Sequence, residues 1–137
     1  MNSKFLTAMA VGAVVLFLGG YLIYGLALSG FYESNAGTAT GVNKESIEWL
    51  WLILSTLATA ALLTVVLGWR GANDAASGFK TAAIVGLLFA MAVDFGFYSM
   101  TNIQTLTVTL VDPIVAVVHM GIGGAVIGVM LGRSDVA

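Results

Sequence analysis

The sequence contains no cysteine, and this absence excludes disulfide bonds and thiol chemistry. Charged residues are also scarce, at 9% of the chain, whereas soluble domains carry about 25%. The net charge is −2 and the basic residues form no cluster, which argues against binding to nucleic acid. A single histidine without cysteine is a poor ligand set for a metal ion or a haem, so the sequence predicts no cofactor.

Long apolar stretches dominate what is present, because hydrophobic residues make up 59% of the 137 residues. A helix needs about 20 predominantly apolar residues to cross a bilayer, and four stretches reach that length. They lie at about residues 5–30, 47–69, 80–101 and 106–132. The sequence therefore predicts one all-α transmembrane domain over residues 1–137, built as an antiparallel bundle of four transmembrane helices.

The basic residues predict how this bundle is oriented. In a four-span arrangement, four of them fall on one side: Lys4, Arg70, Lys80 and Arg133. Only Lys44 falls on the other side. The positive-inside rule then places both termini in the cytoplasm of a bacterial inner membrane. Residues 33–45, which are rich in Gly, Thr, Ser and Asn, are expected to form an exposed, flexible loop on the opposite side.

An aspartate lies well inside the third apolar stretch. An unpaired carboxylate at membrane depth costs at least ~2.5–3.5 kcal/mol, so Asp94 is expected to face the bundle interior. Tyr98 and Thr101 follow it at four and seven residues and share its helix face. Small residues at every fourth position lead into the same face: Gly78, Ala82, Gly86 and Ala90. Asp94 is therefore predicted to lie on a helix-packing face.

The fourth stretch carries Asp112 and His119 two helical turns apart, again on one face. If the turn between the two helices is centred between residues 106 and 107, Asp94 is level with His119, and Thr101 is level with Asp112. An Asp94–His119 pair would reduce the cost of burial, since each charge favours the other against desolvation. Two interpretations stay open for this pair: a polar clamp that fixes helix packing, or a site that responds to protons or binds a ligand.

The start of the fourth helix has two possible positions. Asp112 followed by Pro113 suits an N-cap and a first helical residue. The alternative begins the helix near Thr105 or Thr107 and lets Pro113 kink it. Residues 106–111 are too apolar for an exposed loop, and this favours the second alternative.

Glycines give the strongest packing signal. Those predicted to pack are Gly78, Gly86, Gly121, Gly124, Gly128 and Gly132. Three of them repeat every four residues near the end of the chain, a pattern that lets helix backbones approach closely in lipid. The stripe suits packing against the first helix, another copy or another membrane protein, and we expect an intermolecular use.

Two short motifs lie between the third and fourth stretches: Tyr98-Ser99-Met100-Thr101-Asn102-Ile103 and Val108-Thr109-Leu110-Val111-Asp112. They resemble the Tyr-x-x-Thr-Asn-Leu and Val-Thr-Leu-Val-Asp segments of a family of small bacterial membrane proteins with no assigned function. The resemblance covers residues 87–112 and implies four transmembrane helices, but no mechanism. Pro113 departs from the pattern, and neither Asp94 nor His119 belongs to it. The predicted intramembrane polar site comprises Asp94, Tyr98, Thr101, Asn102, Asp112 and His119.

These residues bear on three classes of function. The favoured one is an accessory or scaffold subunit that packs through its glycine faces in a homo-oligomer or a larger membrane complex. The alternative is a small proton-linked carrier or channel that acts as an oligomer through Asp94 and His119. A membrane enzyme is not expected, because the sequence shows no activated nucleophile, metal set or phosphate-binding loop. The expected partners are the lipid bilayer and a second copy or another membrane protein.

Overall fold

The computed structural model describes residues 2–133, so residues 1 and 134–137 of the predicted domain lie outside the described part. All regular elements of the described chain are helices, and turns and loops connect them. Its elements are α1 (Ser3–Gly20), a π-helical segment (Tyr21–Ala27), α2 (Ser29–Ser34), α3 (Trp49–Arg70), α4 (Ala75–Met100) and α5 (Leu106–Gly132). Four helical stretches are long and apolar enough to cross a membrane: Ser3–Ala27, Trp49–Arg70, Ala75–Met100 and Leu106–Gly132. The all-α class and the four helices of spanning length are confirmed.

The first helix ends earlier than predicted and changes its geometry before it ends. It was expected to continue to residue 30, but α1 widens into the π-helical segment after Gly20 and stops at Ala27. Leu28 closes the segment, because its N–H bonds to the carbonyl of Ile23 at 2.8 Å. The wider turns follow two glycines, Gly19 and Gly20, that lie next to the ring of His119. The chain then turns into α2, a separate short helix.

Capping side chains explain where α4 and α5 begin. Asp74 caps α4 by accepting a hydrogen bond from the Ser77 N–H at 2.8 Å, and the Ser77 hydroxyl returns to the Asp74 N–H. This capping box starts the helix at Ala75, five residues before the predicted start. Thr105 caps α5 in the same manner through Val108. Pro113 therefore lies inside α5, and the alternative that starts this helix at Asp112 is wrong.

The glycines of α5 pack against α4 and the turn before it. A Cβ added at Gly124 would collide with Ala82 and the carbonyl of Gly78, and one at Gly128 would collide with the carbonyl of Asp74. The other predicted packing glycines have partners in the same regions: Gly86 with Ala116 and Met120, Gly121 with Phe79, and Gly132 with Asn73. One chain therefore fills this face by itself, and the expectation that the stripe faces another molecule is wrong.

Helices α1 and α3 complete the bundle on the other face of α5. Gly12 of α1 meets the Ile127 side chain, and Gly123 of α5 meets Leu16. The buried core lies between these helices and contains Leu63 and Leu67 of α3. The outward faces of the long helices are apolar, as the lipid bilayer requires of a spanning helix.

The loop after α2 is tied down at its beginning, in contrast to the flexible loop that was expected. Gly37 donates a hydrogen bond to the Ile103 carbonyl at 3.0 Å, and Ala39 donates one to the Asn102 carbonyl at 3.0 Å. Thr105 donates to the carbonyl of Asn35 through both its N–H and its hydroxyl. These bonds fasten residues 35–39 onto the turn that joins α4 to α5.

Replacing Gly78 by alanine is expected to destabilise the protein by about 1–3 kcal/mol, because a Cβ there meets backbone atoms of α5 that cannot rotate away. Gly96→Ala is the matched control in the same helix. A Cβ at Gly96 meets nothing within 4 Å, so this variant should be neutral or slightly stabilised. Thermal unfolding in detergent, followed by circular dichroism, measures both variants. Equal losses in the two variants would contradict the close α4–α5 contact.

Candidate functional site

The packing of α4 on α5 decides which polar residues meet. The contacts run in opposite sequence order, since Gly78 meets Gly124 whereas Gly86 meets Ala116. Continued along α4, this order brings Asp94 level with Val108, one turn before Asp112, and all three residues line one cavity. The joining turn, residues 101–105, is centred on residue 103 because the Thr105 cap ends it early. His119 lies two turns further along α5, so the predicted Asp94–His119 pair is wrong.

Asp112 is held by a tyrosine from the other end of the chain. The hydroxyl of Tyr32, in α2, donates a hydrogen bond to Oδ1 of Asp112. Burial raises the pKa of Tyr32 above its ordinary value, and the hydrogen bond to Asp112 and the negative charges of Asp112 and Asp94 raise that pKa further. Tyr32 therefore stays neutral and remains a donor throughout the physiological pH range.

Asp94 is the most deeply buried carboxylate of the described residues. Only 8% of its surface is exposed, and its Oδ2 atom has no hydrogen-bond partner there. Gln104 lies nearby but does not satisfy this carboxylate. Its side-chain N–H group donates instead to the main-chain carbonyl of Asp94 at 3.4 Å and to the Thr109 hydroxyl at 2.9 Å. A buried acceptor without a donor is costly, so the position of this oxygen requires an explanation.

Asp94 and Asp112 line one cavity of about 400 Å³, which we call the carboxylate cavity. Its lining residues come from α2, the following loop, α4, the 101–105 turn and α5: Tyr32, Glu33, Asn35, Ala36, Val42, Asn43, Asp94, Ile103, Gln104, Val108 and Asp112. Three of these residues carry carboxylates, and none is a lysine or an arginine. The cavity therefore combines negative charge and amide groups with a few apolar walls.

His119 belongs to a different part of the molecule. Its Nε2 lies 2.8 Å from the carbonyl oxygen of Leu16, and because a carbonyl only accepts, Nε2 carries the proton and donates. The ring also packs edge-on against Tyr24, with 5.5 Å between ring centroids. His119 lines a second cavity of about 520 Å³ with residues of α1, the π-helical segment and α3. It fastens α5 to α1 and does not reach Asp94.

The remaining predicted site residues, Tyr98, Thr101 and Asn102, do not line the carboxylate cavity. Tyr98 is 44% exposed and has no side-chain hydrogen bond among the described residues. The hydroxyl of Thr101 donates to the carbonyl of Phe97, one turn earlier, at 2.7 Å. Asn102 contributes its backbone carbonyl to the loop contact with Ala39. The structure thus brings together two of the six predicted residues, Asp94 and Asp112.

Tyr32 and Gln104 are the residues that sequence reasoning missed. Tyr32 is one of several aromatic residues near the end of the first apolar stretch, a position typical of a membrane interface, and its contact with Asp112 spans 80 positions of the chain. No local sequence pattern indicates such a contact. Gln104 is a polar residue of the turn, and nothing in its spacing indicates that it bridges α4 and α5.

No group of three or more His, Cys, Asp or Glu residues that could hold a metal ion occurs between residues 2 and 133. No protein-family model, curated protein or solved structure matches the chain. The geometry of the carboxylate cavity is therefore the feature from which a function is inferred.

Replacing Tyr32 by phenylalanine is expected to destabilise the protein by about 1–2 kcal/mol, because Asp112 loses its donor. The loss should disappear in an Asp112→Ala background, and Tyr98→Phe, which removes an exposed hydroxyl, should change nothing.

The raised pKa of Tyr32 also sets the pH range over which this residue stabilises the protein. Its contribution is fully present below the ordinary tyrosine value of 10.0 and is lost only as the pH rises through the higher folded-state pKa. Unfolding curves of the four variants at several pH values measure this coupling.

Proposed function

We propose that this protein is a small proton-linked carrier or channel of the bacterial inner membrane, acting as an oligomer. The observation that carries the proposal is the buried, unpartnered Oδ2 atom of Asp94, a residue that lines one cavity together with Asp112. The polar pair is thus formed by Asp94 and Asp112, and His119 has no part in it. The proposal includes no catalytic step.

Two carboxylates that share one cavity, one of them buried, cannot both stay ionised without strong repulsion. One proton on the pair removes a charge and replaces the repulsion by attraction. Asp112 already accepts a hydrogen bond from Tyr32, whereas Oδ2 of Asp94 accepts none. We therefore assign the exchangeable proton to Asp94. Uptake and release of this proton would change the negative charge of the pair, and with it the strength with which the cavity attracts a second cation.

The orientation follows from charge and is part of the proposal. The helix ends at which basic residues gather would face the cytoplasm: Lys4, Arg70, Lys80 and Arg133. In an antiparallel bundle both termini then lie in the cytoplasm, and the carboxylate cavity opens toward the periplasm. Below the cavity, close glycine contacts close the α4–α5 interface. A path across the whole membrane would therefore need a second copy.

The second candidate is an accessory or scaffold subunit in a homo-oligomer or with another membrane protein. The glycines of α4 and α5 do not support this candidate, because they pack at the contact between these two helices of one chain. What favours it is an open apolar groove of about 350 Å³ between α1 and α3, lined by residues such as Ala13, Val14 and Leu57. Small residues at such a groove suit the approach of another transmembrane helix.

Asp94→Asn separates the two candidates. We expect wild-type protein in liposomes to admit protons when a potassium diffusion potential is imposed, as reported by a pH-sensitive dye inside the vesicles. Asp94→Asn should reduce the rate to that of protein-free vesicles, because the amide cannot exchange the proton. Asp74→Asn is the matched control: it makes the same change about 30 Å away along α4, and asparagine still caps a helix. Proton entry that Asp94→Asn leaves unchanged would refute the proposal, and an absence of entry in wild type would favour the accessory subunit.

Single cysteines test the orientation, because the natural chain has none. Thr40→Cys, in the loop after α2, should react with a membrane-impermeant maleimide in intact cells. Asn73→Cys, in the turn before α4, should react only after the membrane is opened. Mass shifts on a denaturing gel measure both reactions, and the reverse pattern would show that the bundle is inserted the other way round.

A further inference from the structure

The carboxylate cavity has an uncompensated negative charge. Glu33, Asp94 and Asp112 line it, and none of its lining residues is basic. Among residues 2–133, the ion pair that the structure contains joins Lys44 to Glu48, and it is largely exposed. No side chain of the described protein therefore neutralises Asp94 or Asp112 by direct pairing.

An independent observation shows where a ligand would bind. Oδ2 of Asp94 belongs to a side chain that is only 8% exposed, and it lacks a donor while its residue lines the cavity. The side-chain N–H group of Gln104 donates to the main-chain carbonyl of Asp94 and to the hydroxyl of Thr109. The titratable groups around Asp94 are Asp112 of α5, Tyr24 of the π-helical segment, and Tyr32 and Glu33 of α2. All of these are acids, so no side chain around the ionised pair supplies a positive charge, and a cationic ligand would supply it.

The cavity fits a small organic cation better than a metal ion. A calcium ion takes six to eight oxygen ligands and a magnesium ion six, at short distances, whereas the described residues hold no cluster of three metal-ligating acids or histidines. A cavity of about 400 Å³ is also large for a bare ion. An ammonium group has three N–H donors around a compact charge. Val42, Ile103 and Val108 supply apolar surface for the alkyl chain that such a group would carry.

We propose that the carboxylate cavity binds a small protonated alkylamine, its ammonium group between Asp94 and Asp112, in exchange for the proton of Asp94. This proposal rests on the proton-linked function proposed above. The exchange conserves charge. The pair with one proton has a net charge of −1, and the fully ionised pair with one ammonium ion has the same net charge. The proton that leaves Asp94 passes to solvent, and no covalent bond forms or breaks in the amine.

Isothermal titration of the purified full-length protein with 1-aminopentane tests this inference, and 1-pentanol serves as the uncharged ligand of the same shape. At pH 7 the amine is fully protonated, because its pKa is close to that of lysine. We expect saturable binding of the amine and none of the alcohol. Titrations in buffers with different ionisation enthalpies should show about one proton released per amine bound. A lack of saturable amine binding, or equal binding of the two ligands, would overturn the inference.

Variants locate the binding. Asp94→Asn and Asp112→Asn should each weaken amine binding about 30-fold or more, as the loss of one partner of a buried charge pair does. Asp74→Asn should bind like wild type. Amine binding that is as strong in Asp94→Asn as in Asp74→Asn would refute the site. If the Asp94 variant does not fold, the amine–alcohol difference and the proton count in wild type still decide the question.

The liposome assay separates this inference from the function on which it rests. Asp94-dependent proton entry without amine binding would refute the ligand class and leave proton-linked transport in place. Amine binding with about one proton released, but without proton entry even when an outward gradient of the amine is imposed on the vesicles, would support the binding site and refute transport. Failure of both measurements would refute both proposals.

Discussion

Close backbone contact between α4 and α5 is the constraint on which the rest of the structure depends. Gly78, Gly124 and Gly128 bring the two helices so near that a single added methyl group would collide with main-chain atoms. In lipid, such packing takes the place of the hydrophobic effect, which contributes little between apolar helices. The contact also fixes the register of the hairpin. That register brings Asp94 level with Val108 and within one turn of Asp112, and so the packing of one end of the hairpin determines which carboxylates meet at the other.

The break in the first helix is the second constraint. If α1 had continued as a straight α-helix to residue 30, α2 would not turn back over the end of the bundle. The wider π-helical turns and the stop at Leu28 bring Tyr32 within hydrogen-bonding distance of Asp112. π-helical turns occur frequently at functional sites. Here the segment also carries Tyr24, whose ring packs on His119, so the irregular backbone is braced on the side that faces α5.

The sequence was most informative where one strong physical effect acts alone. Membrane-length apolar runs predicted all four spanning helices, and the cost of a buried charge predicted that Asp94 is buried. The pairing of Asp94 failed because it depended on the exact position of a turn. Thr105 is a good N-cap, and because it ends the turn at residue 105, the centre of the turn lies three to four residues before the predicted centre. The contact between Tyr32 and Asp112 could not be predicted from the sequence, because it depends on how the π-helical segment redirects the chain. No propensity scale describes the change from an α-helix to a π-helix.

Gln104 occupies two places in the architecture at once. Its backbone pairs with Ala36 of the loop that follows α2, and its side chain bridges the Asp94 carbonyl and Thr109. One residue of the carboxylate cavity therefore contacts both the loop that follows α2 and the backbone of Asp94. Residues 35–39 and the backbone of Asp94 are thus linked through Gln104 outside the helical core. The loop that follows α2 therefore belongs to the surroundings of Asp94, although it lies far from Asp94 in the sequence.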